Sequence, residues 1–123
     1  MTSNELRIGN MVYKSLKSGQ GRTVINPIGC QDIVRIFEDI GSFNYAPIPL
    51  TEDILLKCGA TSVIFTRNNE ISSFDIGDLM FEKEENGYCV FGSEWTIGKP
   101  FHHLHQLQNL YFALTQKELT IKL

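Results

Sequence analysis

No stretch of the chain approaches the roughly 18 uninterrupted apolar residues that a membrane-crossing helix needs. The opening "MTSNELRIGN" also lacks the basic-then-apolar pattern of a secretory leader. A cytoplasmic protein without a membrane partner is the expectation. Cysteine is scarce: Cys30, Cys58 and Cys89 are odd in number, far apart and set beside apolar or glycine neighbours. They read as small hydrophobes in a reducing compartment, and not as a disulfide or zinc framework. A nucleophile elbow, a metalloprotease helix, a phosphate-binding P-loop and a Cys-x-x-Cys pair are all missing. Gly19-Gln20-Gly21-Arg22 with Lys17 is the nearest approach to a phosphate cradle. It lacks the following Lys-Ser/Thr and joins two strand-like runs, which a plain hairpin explains. These absences point away from an enzyme and away from a resident cofactor.

What is present is enough for one folded unit. The 123 residues are 42% hydrophobic and 11% aromatic, with ten glycines and many short apolar runs, which favours strands over a helical bundle. The expected fold is α+β, a strand-rich single domain over residues 1–123. Internally it divides into an SH3-like small barrel over 1–49 and an α+β lobe over 50–123. The net charge of −3 hides an asymmetry: residues 1–35 carry +3 and the remainder −6. Lys14, Lys17 and Arg22 are therefore candidate nucleic-acid contacts, as an alternative to a protein-binding role.

Along the chain, Thr2 and Glu5 have capping-box spacing, and Gly19-Gln20-Gly21 separates two runs that predict a hairpin. "DIVRIFEDI" is ambiguous between strand and helix, and Pro47 and Pro49 keep "SFNYAPIPL" extended. "PLTEDILLKCGA" predicts a helix over 52–58. Thr51 is its N-cap, Glu52 and Asp53 lie in the first turn, Leu50 and Leu55 have staple spacing, and Gly59 stands at C′. Asn68-Asn69 marks a polar turn, and Asn86-Gly87 is a hairpin signal between "LMFEKE" and "YCVFGS". An antiparallel meander follows from these, with Asp75, Asp78, Glu82 and Glu84 on its solvated face. "ELTIKL" alternates with period two and predicts a final strand.

The last long element is "FHHLHQLQNLYFAL", a helix over about 101–115 that holds all three histidines of the chain. At 100° per residue, Leu104, Leu107, Leu110, Tyr111 and Leu114 form the core stripe, with His102, His105 and Asn109 opposite. Two histidines at i and i+3 can share a metal ion, but no carboxylate or cysteine stands near them in the chain, so no metal site is predicted. More telling is the lack of charge between Lys99 and Lys117. Either the amides of this face satisfy backbone groups inside the protein, or His105, Gln108, Asn109 and Phe112 meet a partner chain, foreign or identical.

Three strings, "ELRIGN", "PIPLTEDILLKCG" and "HQLQNLYFALTQKEL", frame nearly the whole chain. Together they resemble a family of small uncharacterised proteins of Bacteroides-type gut bacteria, their prophages and other mobile elements. The resemblance implies a cytoplasmic protein of bacterial or phage background and carries no activity or functional residue. Where the family pattern reads Leu-Thr-Gly-Glu-Glu, this chain has Leu114-Thr115-Gln116-Lys117-Glu118. The glycine that would close the helix is missing, and glutamine pays a steric cost in the left-handed region. The expected function is that of a non-enzymatic binding or accessory protein acting through the uncharged C-terminal helix.

Overall fold

The computed structural model describes residues 6–19, 23–38, 41, 43–91 and 96–122. The chain is α+β and divides into two compact units. Residues 1–49 and 103–117 form one, residues 50–102 and 118–123 the other. The C-terminal helix thus belongs with the N-terminal residues, where the sequence had grouped it with 50–123. No described helix is long and apolar enough to cross a membrane.

In the first unit, strand β1 (Met11–Leu16) lies between β2 (Val24–Pro27) and β3 (Phe43–Ala46), antiparallel to both. β1 and β2 make the expected hairpin, whose tip residues 20–22 lie outside the described residues, as do Thr2 and Glu5. Pro27 closes β2 at the sheet edge, where a missing N–H costs no ladder bond. The order β2–β1–β3 is an open sheet: among the described residues no pairing of β2 with β3 closes the small barrel expected here. The ambiguous "DIVRIFEDI" resolves as helix α1 (Cys30–Glu38). Its start is held by Asp32, whose Oδ2 accepts from the Gly29 N–H at 2.9 Å, one half of a capping box.

Helix α3 (Leu104–Thr115) begins three residues later than expected. Phe101 is still in a strand, and His103 remains extended, bridging Pro49. The Leu104 N–H donates to the Ile48 carbonyl at 2.8 Å, and Gln106 Oε1 accepts from the His103 N–H at 3.1 Å. The helix ends on Gln116 at φ 61°, with its N–H donating to the Phe112 carbonyl. A non-glycine residue thus occupies the left-handed position. Gln116→Gly should raise the stability of this unit by about 0.5–1 kcal/mol. An unchanged or lower urea midpoint would contradict that.

The second unit opens with α2 (Glu52–Lys57), one residue shorter than predicted. Thr51 Oγ1 accepts from the Ile54 N–H, Cys58 is the C-cap, and Gly59 takes φ +83° as the C′ residue. Leu50 and Leu55 are both buried. Strands β4 (Ile64–Phe65), β5 (Ile71–Ile76), β6 (Leu79–Glu84), β7 (Gly87–Phe91) and β8 (Thr96–Phe101) then pair in sequence order, all antiparallel. The aromatic core of this meander is Phe74, Phe81, Tyr88 and Phe101. Phe74 and Phe81 stack at 4.8 Å, while Phe101 meets Phe81 edge-on at 5.9 Å.

Two expectations are corrected in this unit. The Asn-Gly hairpin forms, but Glu84 pairs with Gly87, so the loop is Glu85-Asn86 and Gly87 opens β7. Gly87 is needed there for another reason: a Cβ would stand 2.6 Å from the Phe101 carbonyl oxygen, so only hydrogen lets β8 approach. The final "ELTIKL" is not a strand over its described residues 118–122. Leu119 is buried, and the Lys122 N–H donates to the Lys57 carbonyl at 2.8 Å. The tail serves the orphan carbonyl of a helix end instead of a sheet edge.

Candidate functional site

The uncharged helix α3 was the leading candidate, and the structure turns its amide face inward. His105 and Gln108 are 1% and 4% exposed, together with Leu104 and Leu107, while Leu114, expected in the core stripe, is 41% exposed. The helix is thus rotated relative to a stripe of leucines. What pulls it round is the loop before β1. Gln108 Oε1 accepts from the Met11 N–H at 2.7 Å, and its Nε2 donates to the Gly9 carbonyl at 3.3 Å. Asn109 Oδ1 accepts from Asn10 Nδ2 at 2.9 Å and from Arg7 Nε at 3.1 Å. Arg7 also donates to the Gln108 carbonyl and lies 4.6 Å over the Phe112 ring. His105 and Gln108 are thus interior, which corrects their reading as part of an outer face, while Asn109 and Phe112 are half-buried and engaged by residues 7–10.

The histidines do not assemble a ligand set. His102 precedes the helix and is exposed, His103 is its N-cap, and His105 is interior with its ring stacked on His103 at 5.9 Å. Among the described residues no three His, Cys, Asp or Glu side chains converge on a common point. Burial raises the Cys58 thiol to about 11 and also raises Cys89, with Glu84 adding to the latter. Both stay protonated, the wrong state for a nucleophile. Asp78 and Glu84 are exposed, with Asp75 and Glu82 half-buried beside them on the sheet.

The cationic candidates fare differently from one another. Lys14 Nζ lies 3.2 Å from Asp32 Oδ1 and 4.3 Å over the Phe43 ring. Lys17 is exposed just past β1, and Arg22 lies outside the described residues. Asp32 gathers this corner: its Oδ1 also accepts from the Tyr45 hydroxyl at 2.7 Å, and Arg35 Nη1 stands 3.9 Å away. Burial alone would push the Asp32 carboxyl up. The Gly29 N–H, the Tyr45 hydroxyl and Lys14 outweigh it and hold the group below its ordinary 3.8. The native state therefore binds fewer protons than the unfolded chain between the two values. The resulting stabilisation is complete above the ordinary value and is lost as pH falls through the lower, folded one. Asp32→Asn should cost about 1–2 kcal/mol at neutral pH and flatten the acid limb. Urea midpoints for both proteins at neutral and acid pH check this, and parallel profiles would refute it.

Clamped by Asp32, α1 presents a surface that sequence reading did not single out. None of its residues is buried. Cys30, Val34 and Phe37, spaced i, i+4, i+7, are all exposed, Val34 by 47% and Phe37 by 74%. Cys30, Gln31, Val34 and Arg35 line a shallow groove of about 320 Å³. The sign in the sequence was the helical spacing itself: at 100° per residue Cys30, Ile33, Val34, Ile36 and Phe37 fall within one arc of about 160°, with Gln31, Asp32, Arg35 and Glu38 opposite. No family model, curated protein or solved structure matches the chain.

Proposed function

We propose that the protein is a non-enzymatic binding or accessory protein whose contact surface is the outer face of α1. The observation that carries this reading is the exposed Cys30–Val34–Phe37 stripe on a helix with no buried residue. Large apolar side chains grouped on one exposed element mark interaction sites, and a helix with anchors at i, i+4 and i+7 suits a protein partner. A lipid surface fits less well, because Asp32 and Glu38 accompany the one cation of this helix, Arg35. Nucleic acid fits less well too: Lys14 is engaged by Asp32, and Arg7 by Asn109 and Phe112. A bacterial or phage-type origin, implied by the resemblance of the three framing strings, agrees with a small adaptor.

A photo-crosslinking residue placed at Phe37 should give a discrete protein adduct in cells that express the chain natively. Placed at exposed Glu85, or at Phe37 alongside Val34→Ser, it should give none. Equal adducts at both positions, or none at Phe37, would remove the reading.

A further inference from the structure

We infer that the α1 groove takes a protein segment pairing a bulky apolar side chain with a carboxylate, an inference that rests on the α1 surface proposed above. The groove is lined by Cys30, Gln31, Val34 and Arg35, so its walls are apolar or neutral except for one guanidinium. At about 320 Å³ it lies at the small end of ligand-binding cavities, which leaves room for an anchoring side chain but not for a large cofactor.

Among the described residues the charge at its wall is unbalanced. Lys14 and Arg35 both face the single carboxylate of Asp32. Oδ1 of that carboxylate is already taken by Lys14 and Tyr45, and Oδ2 by the Gly29 N–H. Arg35 stands off from Asp32 at 3.9 Å, beyond hydrogen-bonding distance, and bonds the Tyr45 hydroxyl, so the other donors of its planar fork remain for an outside carboxylate. Its stem passes close to Gly41, where an added Cβ would lie 3.3 Å from Arg35 Cδ. A positioned arginine at the rim of an apolar groove recognises an acid beside an apolar anchor. Exposed Glu38, one turn beyond Val34, would repel a second acid and sets the direction in which such a segment lies.

Selection of a random twelve-residue peptide library on the intact protein tests this. Enriched peptides are expected to pair Leu, Ile, Phe or Trp with Asp or Glu. Fluorescence polarisation should show at least tenfold weaker binding to Val34→Ser and to Phe37→Ser. Arg35→Gln should weaken it at least fivefold. Arg35→Glu should do more, with recovery when the peptide acid is replaced by lysine. Binding unaffected by Val34→Ser and Phe37→Ser, or no enrichment, overturns the α1 surface itself. Binding lost in Val34→Ser yet unchanged in Arg35→Gln, without acidic residues in the peptides, overturns only the carboxylate. Amide hydrogen exchange of β1 confirms that each variant is folded. A dimer in sedimentation equilibrium that Phe37→Ser abolishes would assign the face to a second copy and overturn the foreign segment.

Discussion

Phe81→Ala is expected to lower the stability of the five-stranded unit by about 3–5 kcal/mol. Phe81 is fully buried and pairs across the sheet with Phe74 and Val90. It stacks on the Phe74 ring and meets the edge of Phe101. Truncation removes the transfer free energy of the ring and leaves a cavity between aromatic neighbours that strand backbones hold in place. Small domains have only about 5–15 kcal/mol of net stability, so the loss is a large share of the total. Amides of β5 to β7 should exchange at least about 100-fold faster through global opening. Phe81→Leu, which refills part of the space, should fall between. Less than a tenfold change in exchange for Phe81→Ala would show that this ring is not the centre of the core.

Gln108→Leu is expected to cost the other unit about 2–3 kcal/mol, although leucine is similar in size and more apolar. The Met11 N–H would lose its acceptor in a place where Gln108 is 4% exposed, and the Gly9 carbonyl would lose a donor. An unmade bond of this kind costs more than the made bond contributes, because the amide was desolvated to reach it. The same variant separates the two explanations for an uncharged helix. Were Gln108 on an outer docking face, its replacement would leave stability within about 0.5 kcal/mol, as surface changes do, and would alter only partner binding. Urea unfolding followed through the amides of β1 reads the difference directly.

The elements legible in sequence are those whose causes lie within a few residues of one another. Helix α2 follows from Thr51, Glu52, Asp53 and Gly59, each of which acts on its own turn of backbone. The β6–β7 hairpin was legible for the same reason, but its loop was placed one residue late. The requirement for glycine at 87 comes both from its own φ of 135° and from the Phe101 carbonyl, fourteen residues downstream. "DIVRIFEDI" stayed undecided because so short an apolar run fits a strand as well as one face of a helix. Asp32 is what secures it as a helix, through Gly29 locally and through Lys14 and Tyr45 from the neighbouring strands.

The candidate site was less legible still. Ranking residues by hydrophobicity places leucine inside and glutamine outside, yet Leu114 is exposed and Gln108 buried. The choice was made by the backbone of residues 9–11, which reaches α3 with polar groups still to be satisfied, and an amide side chain can do that where leucine cannot. By itself, then, the sequence determined the α+β class, the capped helix α2, the order of antiparallel hairpins and the want of charge in α3, because each is written in local pattern. Only the tertiary structure decided which face of α3 is interior and that α1 is the helix left exposed. The first depends on hydrogen-bond partners about a hundred residues apart, the second on strands whose Lys14 and Tyr45 lie 18 and 13 residues from Asp32, and no local pattern carries that information.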